Sequence, residues 1–215
     1  MTNNRQQLGQ SNLYAFPIAY GMWRFAGTDV KTAQAKIEAA LAGGINLFDN
    51  AETYGVPVGE AERLMGEAIT QLQVSDPEGW RRSDILITTK IFWGGSGVNE
   101  TGLSRKHIME GLDASLGRLQ VDYVDLVFCH RPDPYTPTAT VVRAMTDAVR
   151  SGMATCWGTS EWSAQQITEA FWIARLEGLE PPQFEQPQYN MFHRERFERE
   201  YAPLFQAPYR LGTTI

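Results

Sequence analysis

The chain has 215 residues, 43% hydrophobic and 20% charged, enough for one sizeable apolar core and unlike a disordered polymer. Its formal net charge of −6 argues against a nucleic-acid-binding face, which must be basic to attract phosphates. No apolar run approaches the roughly 20 residues of a membrane span, and Met1-Thr-Asn-Asn-Arg-Gln-Gln lacks the apolar core of a secretory signal. Cys129 and Cys156 both lie in apolar, strand-like runs, where free buried thiols are expected. A cytoplasmic protein without membrane insertion fits these features.

A short apolar run at 16–20 reads as the first strand. Asp29 can cap a helix over 30–42, and Gly43-Gly44 ends it, since glycine accepts the left-handed conformation beyond a helix. A strand follows at 45–48. Ala61, Leu64, Met65, Ala68, Ile69 and Leu72, three and four apart, predict a helix over 60–72. Next come a strand at 85–89, a helix from Ser104 with the stripe Ile108, Leu112, Leu116 and Leu119, and a strand at 123–129. A helix over 139–150 and a strand at 153–158 continue the pattern. A helix from Ser163 then carries Ile167, Ala170, Phe171 and Ala174. A short strand at 184–187, a helix over 194–205 and the opening of a seventh strand at 211–215 complete it.

Strand starts recur roughly every 27 to 40 residues, the length of a βα unit. Runs such as Ile85-Leu86-Ile87 and 124–129 are near-continuously apolar, as parallel strands covered on both faces should be. No linker or low-complexity tract interrupts the series, so 1–215 is expected to form a single domain. Two architectures remain, a βα-barrel and a doubly wound sheet. The nucleotide-binding form of the second places G-x-G-x-x-G after its first strand. Here that turn reads Gly21-Met-Trp-Arg-Phe-Ala-Gly27, and Gly94-Gly95-Ser96-Gly97 has neither the spacing nor a helix directly after it. The expected fold is α/β, a (β/α)8 TIM barrel that is incomplete, with about seven strands.

Polar residues fall where the apolar runs stop: Asp49, Tyr54 five residues on, Lys90 and His130. In a βα-barrel such ends share one face, where the chemistry is done. Each residue also has a plain reading. Lys90 can be a solvated strand end, Asp49 a loop acid or cap, Tyr54 a packing aromatic and His130 a core histidine bonded to backbone. Together they form a proton-transfer set. Asp49 can neutralise a buried Lys90, in a mouth expected to be lined by Trp23, Phe92 and Trp93. The ammonium can stabilise a phenolate as Tyr54 gives up its proton, which makes Tyr54 a general acid for a carbonyl oxygen. His130 then orients that carbonyl by a hydrogen bond. His107 and His193 share no ligand spacing with His130, neither H-x-H nor H-E-x-x-H occurs, and no serine has a nucleophile-elbow context. No metal site is expected.

Four segments carry a family resemblance. They are Gly44-Ile-Asn-Leu-Phe-Asp-Asn-Ala-Glu-Thr-Tyr-Gly55, Ile87-Thr-Thr-Lys90, Asp122-Tyr-Val-Asp-Leu-Val-Phe-Cys-His130 and Trp157-Gly-Thr-Ser160. In this order they resemble the aldo-keto reductases. Lys90-Ile-Phe-Trp-Gly-Gly95, Gly102-Leu-Ser-Arg-Lys-His-Ile108, Arg131-Pro-Asp-Pro134 and Gly158-Thr-Ser-Glu-Trp162 are most similar to the branch containing the β-subunits of voltage-gated potassium channels. The resemblance implies a barrel that binds NADPH without a Rossmann motif and reduces an aldehyde or ketone by hydride transfer. It implies the catalytic tetrad Asp49, Tyr54, Lys90 and His130, with Met22, Trp23, Asp49, Ser160, Glu161 and Gln186 at the cofactor. Glu161 stands where channel β-subunits carry arginine. His130 stands where they carry asparagine and instead resembles the ordinary reductases, which favours catalysis over a purely regulatory role.

A family member continues past Ile215 through an aromatic-Ser-Pro-Leu loop, an eighth strand and the segment gripping the cofactor's 2′-phosphate. The resemblance therefore implies a C-terminally truncated chain with weakened cofactor binding and weak or no reductase activity in isolation. The expected partner is a small carbonyl substrate, with a homo-oligomer or protein partner also allowed. A non-catalytic, potassium-channel-β-like regulatory or scaffold protein is the alternative function.

Overall fold

A computed structural model describes residues 5–25, 27–76 and 80–215. The first four residues, read above for a secretory signal, and Ala26 in the turn after the first strand lie outside the described residues. The chain opens with a small antiparallel hairpin, β1 (Gln6–Gln7) and β2 (Tyr14–Ala15). Seven strands then pair in parallel in sequence order: β3 (Tyr20–Gly21), β4 (Leu47–Asp49), β5 (Leu86–Ile91), β6 (Val124–Cys129), β7 (Ala154–Ser160), β8 (Phe184–Gln186) and β9 (Gly212–Thr213). The helices α1 (Val30–Ala42), α2 (Glu60–Ser75), α3 (Arg105–Leu119), α4 (Thr138–Arg150) and α5 (Ala164–Glu177) connect β3 through β8. Three helices start where the sequence reading begins them, each under a side-chain cap, of which only Asp29 is expected as one from the sequence. Asp29, Ser104 and Ser163 accept hydrogen bonds from Thr32, His107 and Gln166 backbone N–H groups, which satisfies donors the first turn leaves unpaired.

The period of two along each strand sorts residues into two cores. Ile87, Ile91, Val127, Cys129 and Trp157 face the helices. Leu47, Leu86, Leu126, Phe128, Cys156 and Phe184 face inward and pack together. That second cluster requires the sheet to curl. A hydrogen bond of 3.1 Å from Gln186 Nε2 to Asp49 Oδ1 makes the same point, because β8 and β4 lie four strand positions apart in the sheet order. In a flat sheet that separation would be about 19 Å, at about 4.8 Å per strand. The sheet is curled but not closed: its order begins at β3 and ends at β9, with no pairing between them among the described residues. It is an incomplete (β/α)8 barrel.

The hairpin forms the floor, where Leu8 and Ala15 join the inward cluster. Gly9 lies in the left-handed region (φ +54°), and a Cβ there would sit 2.5 Å from Gly212 N. Only glycine lets the hairpin pass this close to β9.

Three elements differ from expectation. The strand read at 16–20 is confined to Tyr20–Gly21, because the Phe16 N–H donates to Asn46 Oδ1 (2.8 Å) rather than to a ladder. The helix read at 194–205 is a π-helical turn, Arg196–Glu200, followed by a 3₁₀ turn, Ala202–Phe205; Pro203 has no N–H with which to continue an α-helix. The β1–β2 hairpin has no counterpart in the sequence reading, since its two-residue strands are too short to show alternation. Cys129 and Cys156 are both free and buried. Among the described residues, no helix is long and apolar enough to cross a membrane.

Candidate active site

The same alternation that builds the inner core delivers polar side chains at its top. Along β5, Leu86 faces inward, so Thr88 and Lys90 do too; along β4, Leu47 is followed two residues later by Asp49. Register places Asp49 beside Thr88. Lys90 lies inside the strand rather than at its end and is completely buried. Its Nζ donates to Asp49 Oδ2 (2.6 Å), Asn50 O (2.7 Å) and Tyr54 Oη (3.1 Å). An ammonium has three N–H bonds, so all are used. Asp49 completes the balance: Oδ1 accepts from Thr88 Oγ1 (3.0 Å) and Gln186 Nε2 (3.1 Å).

Tyr54 comes from the loop between β4 and α2, which Glu52 fastens to β5. The Glu52 N–H donates to Lys90 O (3.1 Å), and Glu52 Oε1 accepts from the Phe92 N–H (2.5 Å) and faces His107 Nε2 at 3.1 Å. This buried clip and the Thr88 hydroxyl escaped the sequence reading. Thr88 was accessible in principle, because positions 88 and 90 of a strand share a face. Glu52 was not, because loop geometry decides its contacts.

His130 follows β6, its ring 5.0 Å from that of Trp93 and 5.9 Å from that of Tyr54. Burial, with the nearby positive charges of Lys90 and Arg131, holds its pKa down to about 3. The imidazole is therefore neutral across the physiological range, and its Nδ1 is buried without a hydrogen-bond partner among the described residues. Ser160 Oγ donates to Gln186 O (2.9 Å) and accepts from Arg131 Nη1 (3.3 Å). Glu161, in the left-handed region (φ +59°), accepts from the Gln188 N–H and from Arg196 Nη1, turning its carboxylate toward the loop after β8. Met22 is buried in the helix-facing core, while its N–H donates to Asp49 O (2.9 Å). Trp23 is 64% exposed, with Arg24 Cζ 5.1 Å above its ring. The structure thus brings Asp49, Tyr54, Lys90, His130, Ser160 and Gln186 together, and leaves the side chains of Met22 and Trp23 apart from them. A basin of about 270 Å³ opens above Asp49, Tyr54, His130, Arg131, Ser160, Glu161 and Gln186.

The sequence matches a known family model. The model of the aldo/keto reductase family covers residues 17–212. The chain belongs to the aldo/keto reductase family. A "Probable voltage-gated potassium channel subunit beta" of Oryza sativa subsp. japonica is 51% identical over 211 residues, covering 97% of this chain and 62% of that protein. A protein of the same description from Arabidopsis thaliana is 52% identical over 202 residues, covering 93% of this chain and 59% of that protein. Within the family the chain is closely related to this channel-β-like branch. It spans about three fifths of the length of these relatives. Members of this reductase family generally bind NADPH.

Chemically, the mouth holds one phenol hydrogen-bonded to a buried ammonium and one neutral imidazole. The first arrangement stabilises a phenolate once a proton has left, and the second can donate or accept without bringing a charge. Among the described residues no three His, Cys, Asp or Glu side chains converge as metal ligands.

Proposed function

We propose that this basin is a carbonyl-reduction site, with NADPH as hydride donor and Asp49, Tyr54, Lys90 and His130 as its catalytic residues. The observation that carries the reading is the Tyr54 hydroxyl 3.1 Å from the ammonium of a fully buried lysine. The residues present fit the cofactor. Ser160 and Gln186 line the basin; their side-chain donors are held by Gln186 O, Asp49 and Thr214, which leaves Gln186 Oε1 as an acceptor for the N–H of a carboxamide such as that of nicotinamide. Met22, Trp23 and Glu161 complete the proposed cofactor set. NADPH, when bound, supplies the hydride that reaches the carbonyl carbon.

The remaining chemistry belongs to the chain. Tyr54 holds the proton and delivers it to the carbonyl oxygen as negative charge grows there. Lys90 stabilises the phenolate left behind, and its contact with Asp49 keeps the ammonium in place. His130, neutral, offers a ring N–H to the same oxygen and so orients the carbonyl. A Tyr54→Phe variant keeps the ring and loses the proton. NADPH consumption with an aldehyde should fall by about 10²–10⁴-fold, the contribution of a positioned general acid. Consumption unchanged by the substitution would overturn the assignment.

A second reading is a non-catalytic regulatory or scaffold subunit of the potassium-channel-β kind. The descriptions of both relatives favour it, and the comparisons support it better than turnover as the role of the whole protein. Co-expression with a voltage-gated potassium channel separates the two. The regulatory reading expects altered current from wild type and Tyr54→Phe alike, and no effect of either would remove it.

A further inference from the structure

Arg131 stands at the edge of the basin with Asp49, Tyr54 and His130, and the reaction proposed above does not use it. Its guanidinium is held from two sides. Nη1 donates to His130 O (2.5 Å) and Ser160 Oγ (3.3 Å), and Cζ lies 5.3 Å from the centroid of the Trp93 ring. These contacts fix the plane of the group and leave Nε and Nη2 without an acceptor among the described residues.

The neighbouring acids are committed elsewhere. Asp49 pairs with Lys90 and Glu161 with Arg196. Asp133, two residues on, accepts from the Leu103 and Tyr135 N–H groups and from Thr136 Oγ1. Among the described residues no carboxylate lies within ion-pairing distance of Arg131, although many of the other arginines have one. Lys90 cancels Asp49 and Arg196 cancels Glu161, so Arg131 leaves the basin with an uncompensated positive charge. Its field reaches the site, since it helps to keep His130 neutral. The planar fork of arginine suits carboxylate and phosphate oxygens, and a half-buried position strengthens such a contact over one in bulk water.

We infer that Arg131 selects the substrate, and that the site takes carbonyl compounds bearing an anionic group, a carboxylate or phosphate monoester, that meets this guanidinium while the carbonyl oxygen meets Tyr54. The inference deepens the reduction reading and rests on it. Arg131 recognises and orients in this scheme; it transfers no proton.

The test uses matched pairs of aldehydes on the 215-residue chain with NADP⁺ present. One pair is 4-oxobutanoate and butanal, the other glyceraldehyde 3-phosphate and glyceraldehyde. Binding is followed by the change in tryptophan fluorescence, because Trp93 lies against the arginine. The anionic member of at least one pair should bind wild type about tenfold or more tightly than its neutral twin, as expected for a charge-assisted hydrogen bond, and which pair responds distinguishes carboxylate from phosphate. Arg131→Gln should bring that ratio to about one, and Arg131→Lys, which keeps the charge and loses the fork, should restore part of it. Equal binding of both twins by wild type, or a preference that survives Arg131→Gln, overturns the inference. NADPH turnover of the same pairs separates it from the reading beneath it. A binding preference without turnover retains Arg131 as the anion site and removes the reductase; turnover without a preference does the reverse.

Discussion

Replacing Lys90 by methionine preserves the length of the side chain and removes its charge. In the folded protein that ammonium has no contact with water and makes three hydrogen bonds, to Asp49, Asn50 O and Tyr54. The substitution leaves the Asp49 carboxylate with Thr88 and Gln186 only. Removing one partner of a buried pair costs about 3–5 kcal/mol. The Asp49 side chain is 17% exposed, so some water can solvate the stranded charge, and about 2–4 kcal/mol is the expected cost. Neutralising the partner by Asp49→Asn should relieve part of this loss, so the double variant should be more stable than the two single losses add to, by about 1–3 kcal/mol. Urea unfolding of the four proteins at neutral pH measures the cycle. A Lys90→Met cost below about 1 kcal/mol, or strictly additive losses, would refute the claim that these side chains form one buried unit.

Two buried groups give opposite pH dependences. His130 has a folded pKa of about 3 against an ordinary 6.5, so below pH 6.5 the unfolded chain binds a proton that the fold excludes. Stability should fall by about 2 kcal/mol between pH 7 and pH 5 from this residue alone, at about 1.4 kcal/mol per unit, and His130→Gln should flatten that slope in urea titrations. Glu185 is fully buried, and burial pushes its pKa up to about 8. Its raised value means the fold keeps a proton the unfolded chain loses above about 4.5, so its penalty grows from there and saturates above pH 8. Glu185→Gln should therefore stabilise the protein at pH 8, by on the order of 2–4 kcal/mol, and change little at pH 4. Gly158→Ala forces a Cβ to 2.3 Å from Phe184 Cδ2, and thermal melting should report a loss of about 1–3 kcal/mol from overpacking.

What could be read from the sequence depended on how local its cause was. The apolar stripes of α2 and α3, the cap at Asp29 and the helix starts at Ser104 and Ser163 are short-range patterns, and the structure has them where the sequence put them. The seven-strand parallel order also followed, because each strand–helix unit repeats the same pattern. Where a distant contact decides, the sequence was silent. Phe16 bonds to a side chain thirty residues away and drops out of its strand, and the hairpin that seals the barrel floor is specified by packing against β9. At the mouth, Asp49, Tyr54, Lys90 and His130 were visible as polar ends of apolar runs. Thr88, Glu52 and Arg131 were harder. A threonine inside a strand, an acid in a loop and an arginine after a histidine acquire meaning only from the partners the fold gives them.

The central claim is that Tyr54, backed by Lys90, protonates a carbonyl that receives hydride at this mouth. The most direct measurement is a single-turnover reaction of the purified chain with an aldehyde and NADPH deuterated at the transferred position, with the alcohol product analysed by mass spectrometry. One turnover suffices, so a slow enzyme is still detected. Deuterium in the alcohol from wild type, reduced at least about a hundredfold in rate by Tyr54→Phe, is the predicted result. No deuterium transfer by wild type, or transfer at an undiminished rate by Tyr54→Phe, would contradict it.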